Sequence, residues 1–225
     1  MLPILALDVY GTLIDTQGVT VALEQHLPSS ERAAEFARRW RDKQLEYSFR
    51  RSLMGAYVPF KDCIYQALQF TDQALQTGLS VHDHAQLMAV YAQLPAFPDV
   101  PSALNQLQAA GIRCVAFSNG TLEAVTGLLD HAGLDAYMQD IISVDEIKRF
   151  KPDPAVYIHL SRRLNARAEQ IWLVSSNPFD VIGAAQTGLR SVWVRRDAEV
   201  PFDPWDIAPD TCVTDLQALA AHIVS

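Results

Sequence analysis

Short, mainly apolar runs recur along the chain, and each is cut off by a polar cluster. Residues 2–7 run into Asp8-Val9-Tyr10-Gly11-Thr12, and residues 112–117 stop at Ser118-Asn119-Gly120. Residues 171–174 stop at Ser175-Ser176-Asn177, and residues 191–194 at Arg195-Arg196-Asp197. A run without in/out alternation suits a strand covered on both faces in a parallel sheet. Helix-patterned stretches at 100–110, 154–165 and 181–188 precede the second, third and fourth runs, so the order predicts βαβ units. A Pro-rich surface connection over 196–210, a short strand at 211–214 and a final helix complete this part.

Between residues 15 and 95 the pattern changes. No β-branched run occurs there, and helical patterning is read at 19–26, 30–52, 60–76 and 82–93. Three prolines, Pro95, Pro98 and Pro101, disfavour helix at the residues before them and mark a rigid return to the sheet. The expected organisation is an α/β core built from residues 1–14 and 96–225, with residues 15–95 as a helical insertion.

Open parallel sheets bind ligands at the carboxyl ends of their strands, so the residues after each run should converge. They are Asp8, Tyr10 and Thr12; Ser118 and Asn119; and Ser175, Asn177 and Asp180. Lys151 lies in Phe150-Lys151-Pro152-Asp153-Pro154, where the prolines delay a helix until Pro154 opens one, and its ammonium can reach the same crevice. A strand-end carboxylate beside a lysine and several hydroxyl and amide donors is a candidate nucleophile. Taken alone, Asp8 also reads as a turn former.

Composition excludes several other classes. The 225 residues are 49% hydrophobic and 20% charged, an ordinary globular balance. Eighteen basic against 26 acidic residues leave a net charge of -8, unfavourable for binding nucleic acid. Cys63, Cys114 and Cys212 form no C-x-x-C pair, so neither a disulfide framework nor a zinc site is expected, and a cytoplasmic setting fits. Residues 2–7 lack a basic leader and are too short to span a membrane. His82 and His84, two apart, point to different sides of a helix and make a poor metal site.

The ordered set Asp8-Val9-Tyr10-Gly11-Thr12-Leu13, Ser118-Asn119-Gly120, Lys151-Pro152 and Ser175-Ser176-Asn177-x-x-Asp180 resembles the haloacid dehalogenase superfamily. Within it, Trp40 to Phe49 followed by Arg51-Ser52-Leu53-Met54 resembles the L-2-haloacid dehalogenases. The resemblance implies a Rossmann-like core, an inserted helical cap, no cofactor, no metal, a homodimer and a covalent ester on Asp8. Substrate would be a short-chain L-2-haloalkanoic acid, and the products a D-2-hydroxy acid and halide.

Roles follow from that resemblance. Arg41 would meet the departing halide, with Asn119 as second donor and Phe179 beside it. Ser118 and the backbone N–H groups around Val9 and Tyr10 would hold the substrate carboxylate. Lys151 would keep Asp8 charged, while Thr12, Tyr157 and Ser175 fix the carboxylate and lysine; Asn177 and Asp180 would position water. Leu45 and Phe60 are candidate substrate contacts. Asp42 and Phe179 depart from the Gln and Trp common in the family. A second reading is a magnesium-dependent phosphatase of the superfamily, although Tyr10 and Ser176 stand where such enzymes usually have aspartates. A third is a non-catalytic relative binding a small organic acid.

Overall fold

Apolar β1 (Ile4–Asp8) lies between β2 (Arg113–Ser118) and β4 (Ile171–Ser175), parallel to both, with Asp8 level with Phe117 and Leu7 level with Val174. This computed structural model describes residues 2–224; Met1 and Ser225, the ends of the expected core, lie outside the described residues. With β3 (Ile141–Ser143), β5 (Arg190–Val194) and β6 (Thr211–Val213), the sheet has the order β3-β2-β1-β4-β5-β6, parallel throughout. Leu5, Ala6 and Leu7 have no exposed surface, which is why their run does not alternate.

The helices of the sheet-forming part are α5 (Val100–Ala109), α6 (Leu122–His131), α7 (Pro154–Leu164), α8 (Pro178–Gln186) and α9 (Leu216–Val224). Two elements escaped the sequence reading. Strand β3 has only three residues, too few to set a period. Helix α6 was signalled by Thr121, whose side chain accepts the Ala124 N–H, and by the apolar face Val125, Leu128 and Leu129. Helix α8 begins at Pro178 rather than residue 181, with proline in its first turn, so Phe179 and Asp180 sit on the helix and not in the loop before it.

Between β1 and α5 the chain forms α1 (Val19–Leu23), α2 (Ser30–Met54), α3 (Phe60–Leu75) and α4 (Val81–Tyr91), packed on one another. Helix α2 buries Ala33, Phe36, Ala37, Trp40, Gln44, Ser48 and Ser52, one stripe at helical spacing. The outgoing and returning chains run side by side: Asp15 N–H donates to Pro95 O at 2.9 Å, and Phe97 N–H to Leu13 O at 3.0 Å. Hydrogen bonds link these helices and their loops to the strand-end side of the sheet. Tyr57 Oη donates to Asp145 Oδ1 at 2.6 Å, Arg149 Nη1 to Ser52 O at 3.0 Å, Phe150 N–H to Ser52 Oγ at 3.1 Å, and Arg41 Nη2 to Tyr10 O at 3.2 Å.

Candidate active site

The chain runs outward from β1 to β2 and β3, then returns across β1 to β4, so β1 is the topological switch point where parallel sheets open a crevice. Asp8 is its last residue. Beyond it the N–H groups of Thr12, Leu13 and Ile14 converge on Val9 O at 3.3, 3.0 and 3.0 Å. Gly11 takes φ +85° in this turn, a conformation that costs a side-chain-bearing residue. The turn brings Thr12 Oγ1 back to Asp8 Oδ2 at 2.8 Å.

The two oxygens of Asp8 have different surroundings. Oδ2 accepts from Thr12 Oγ1, from Ser175 Oγ at 3.1 Å and from Asn177 Nδ2 at 2.7 Å. Oδ1 accepts from Lys151 Nζ at 3.0 Å. The same ammonium donates to Asp180 Oδ2 and Phe117 O, both at 2.8 Å, which uses its three protons. Burial works against the charge on Lys151, but the carboxylates of Asp180 and Asp8 outweigh it and leave the lysine pKa raised. Burial lifts Asp180 above the usual carboxylate range, with Lys151 pulling the other way. Tyr157 Oη donates to Asp180 Oδ1 at 2.8 Å; burial first, and then the Asp180 charge, hold the phenol protonated well above its ordinary pKa.

Arg41 enters from α2. Its Nη2 reaches Tyr10 O and, at 3.4 Å, Asn177 Oδ1, while Nη1 is buried without a hydrogen-bond partner. The guanidinium also acts on the buried Tyr91 hydroxyl, and a buried N–H without a well-formed partner can donate to an anion. Asp8, Arg41, Asn119, Lys151 and Asn177 form the polar wall of a narrow pocket. Tyr10, Leu45, Phe60 and Phe179 form its apolar wall, and the free space is about 10 Å³. Phe60 and Tyr10 pack at 5.6 Å between ring centres, and Phe179 meets Phe49 edge-on at 5.0 Å.

Two expected roles change. Asp180 was expected to position water, but it is fully buried behind Lys151 with both oxygens engaged. Tyr157 braces Asp180, not the lysine, and is fully buried, so it does not reach the pocket wall. The Val9 side chain and Ser118 are fully buried, and Ser118 Oγ accepts the Gly120 N–H at 3.1 Å. Asn119 combines two tasks, lining the pocket and accepting the Lys151 N–H on Oδ1 at 3.0 Å. Asp42 is exposed and turned from the pocket.

Arg196 was missed. It donates to Thr12 O at 2.7 Å and Asp99 Oδ1 at 2.6 Å, with its guanidinium 4.1 Å from the centre of the Phe97 ring, and so holds the turn after β1 from behind. It follows the fourth apolar run, and applying the strand-end rule to that run as well would have included it. Ser176 donates to Gly11 O at 2.6 Å and tightens the same turn.

The donor set does not suit a divalent cation. Asp8 and Asp180 share the Lys151 ammonium, which occupies the position between them. Among the described residues no group of three or more His, Cys, Asp or Glu side chains could hold a metal ion, and His84 pairs instead with Asp72 at 3.0 Å.

A family model described as haloacid dehalogenase-like hydrolase matches residues 2–188. An (S)-2-haloacid dehalogenase from Pseudomonas sp. (strain YL) is 35% identical over 215 residues, spanning 96% of this chain and 91% of that protein. The chain belongs to the L-2-haloacid dehalogenase family of these hydrolases. Haloacetate dehalogenase H-2 from Moraxella sp. (strain B) is 33% identical over 98% of this chain and 97% of its own. Among solved members, the L-2-haloacid dehalogenase from Xanthobacter autotrophicus with chloropropionic acid covalently bound superposes with a TM-score of 0.90 at 30% identity, covering 99% of this chain and 98% of that one. A second L-2-haloacid dehalogenase reaches a TM-score of 0.95 at 32% identity, covering 100% and 99%. The family's strand-end set is thus carried by a hydrolase whose nucleophile candidate, lysine and arginine meet in one pocket.

Proposed function

We propose that this enzyme hydrolyses the carbon–halogen bond of L-2-haloalkanoic acids, releasing halide and a D-2-hydroxy acid, through an ester on Asp8. The observation that carries this reading is the inequality of the two Asp8 oxygens within a narrow pocket that also holds a buried arginine nitrogen without a well-formed partner. Three donors crowd Oδ2, whereas Oδ1, with one donor, keeps a lone pair for attack.

In the first step Oδ1 attacks C2 from the side opposite the halogen, the carbon–halogen electron pair leaves with the halide, and the centre inverts. Arg41 Nη1 and Asn119, beside Phe179, receive the halide. The substrate carboxylate is assigned to the Ser118 hydroxyl and the N–H groups of Val9 and Tyr10, with Leu45 and Phe60 against its apolar part. In the second step water attacks Cγ of Asp8. Charge then develops on Oδ2, where Thr12, Ser175 and Asn177 already aim three donors. Breaking the Cγ–Oδ1 bond expels the product alkoxide, which takes one proton of the water; the other is released to solvent, and the carboxylate is restored with one oxygen from water. Lys151 serves as counter-ion throughout, with Asp180 and Tyr157 holding it in place.

No metal or cofactor takes part in this scheme. A halide departs as a stable anion and needs neither general acid nor Lewis acid, unlike the alkoxide leaving group of a phosphate ester. Residues 15–95 act as the cap: with about 10 Å³ free in the narrow pocket, substrate entry widens the space between the α2 side and the strand ends. Homodimer assembly and a cytoplasmic setting rest on the family resemblance and the cysteine pattern; no helix among the described residues is long and apolar enough to cross a membrane. The test is chloride release from the separate enantiomers of 2-chloropropionate. The L form should yield D-lactate and the D form nothing; no halide from any 2-haloacid would overturn the reading.

A further inference from the structure

The reaction pocket has about 10 Å³ free around Leu45 and Phe60, and beside it lies a cleft of about 730 Å³. Phe179 and Lys151 line both spaces. The cleft is lined by the end of α2, with Phe49 and Leu53, and by the 150–154 strip and Trp205. Its aromatic lining continues into the pocket, since Phe150 on the cleft side packs against Phe60 on the pocket side at 5.9 Å between ring centres. Leu53 and Trp205 are 90% and 67% exposed, although both are large apolar side chains bordering this space. Scattered exposed apolar residues need no explanation, but a concave apolar lining that opens beside a reaction pocket is a ligand surface.

We propose that this cleft is a substrate subsite that takes the apolar C2 substituent of longer 2-haloacids, such as an n-butyl or benzyl group. The inference rests on the dehalogenase reading and extends it beyond short chains. Phe179, edge-on to Phe49, forms the wall between the two spaces, and the substituent leaves the reaction pocket past it. The occupant is neutral as well as apolar. Asp153 and Asp203 contribute carboxylates to the cleft lining, and a second acidic group on the substrate would meet like charge there. The substrate's one carboxylate is correspondingly directed toward the polar strand ends.

The test compares kcat/KM for L-2-bromopropionate, L-2-bromohexanoate and L-2-bromoadipate in the wild-type enzyme and in Leu53→Asp and Trp205→Ala. Both altered side chains are well exposed, so the variants fold, and neither belongs to the reaction pocket. Each methylene that leaves water is worth up to about fourfold, so the half-open cleft should favour bromohexanoate over bromopropionate by about tenfold. Bromoadipate, with its second carboxylate, should lose that advantage. Each variant should cut the hexanoate-to-propionate ratio at least threefold while leaving bromopropionate turnover unchanged. Failure to turn over any of the three acids would sink the dehalogenase reading itself. Turnover of bromopropionate with no preference for the longer chain, or a ratio indifferent to both substitutions, would overturn the subsite alone. So would a Leu53→Asp variant whose mass by light scattering halves with the ratio unmoved, because the cleft would then be covered by a second copy of the chain.

Discussion

The Lys151 ammonium lies 2.8 Å from Oδ2 of Asp180, a carboxylate without exposed surface that never meets the pocket. Asp180 therefore acts through the lysine: it sets where the counter-ion of Asp8 stands. Replacing it with Asn keeps the shape and removes the charge.

Asp180→Asn should lower kcat by about 10²-fold, the scale expected when a reacting group is misplaced by about an ångström. It should also cost about 2 kcal/mol of stability through a weakened charged hydrogen bond. Urea unfolding and halide release measure the two effects separately. A variant that is destabilised but has normal kcat would remove Asp180 from the positioning role.

Asp8 as nucleophile makes an isotopic prediction. With enzyme in excess in ¹⁸O-water, the hydroxyl oxygen of the first product comes from Asp8 and is unlabelled, while the heavy atom stays in the protein. Mass spectrometry of product and of the peptide carrying Asp8 reads both. Heavy oxygen in the first-turnover product would mean direct attack by water.

Arg41 bears on the departing halide, an interaction stronger in the transition state than in the ground state. Arg41→Ala should lower kcat by about 10²–10³, roughly 3–4 kcal/mol. Lys at this position should restore only part, since a point charge cannot reproduce the planar fork. Exposed Arg38, on the same helix, is the control, and its Ala variant should keep wild-type turnover. Equal rates in the Arg41 and Arg38 variants would place the halide elsewhere.

Because Lys151 occupies the space between Asp8 and Asp180, dehalogenation should persist after dialysis against EDTA and gain nothing from added Mg²⁺. Activity lost to the chelator and restored by the metal is the contrary result.

The link between α3 and α4 predicts an acid-side response. Burial works against the Asp72 charge, but Thr77 Oγ1 at 2.7 Å, Leu79 N–H at 3.1 Å and His84 hold its carboxyl below the ordinary value. A lowered folded-state pKa gives stability that is present above the unfolded value, about 3.9, and lost as pH falls through the folded one. The urea midpoint should therefore drop more steeply below about pH 4 in the wild type than in Asp72→Asn. At neutral pH that variant should already have lost about 1 kcal/mol, solvent screening keeping the figure small. Parallel curves for the two proteins would contradict the assignment.

The chain's own text determined the strand ends. A strand buried on both faces must be apolar along its length, so the first polar residue marks the edge, and Asp8, Ser118, Asn119, Ser175 and Asn177 could be collected before any coordinates. It also determined the helical character of α1 to α4, through apolar periodicity and the prolines that close the insertion. Tertiary structure alone decided which polar group faces which. Arg38, Arg39 and Arg41 are alike in a string of letters; the burial of Phe36, Ala37 and Trp40 sets the rotation of α2, and that rotation turns Arg41 toward Tyr10 and leaves Asp42 in solvent. Strand β3 is held by pairing with β2, a non-local interaction that three residues cannot announce. The unequal surroundings of the two Asp8 oxygens, and the withdrawal of Asp180 and Tyr157 behind Lys151, depend on hydrogen-bond geometry between separate segments: Asp8 and Lys151 are 143 residues apart, Lys151 and Asp180 are 29. Local sequence carries period and polarity, and hydrogen-bond geometry across such separations exists only once the sheet has assembled.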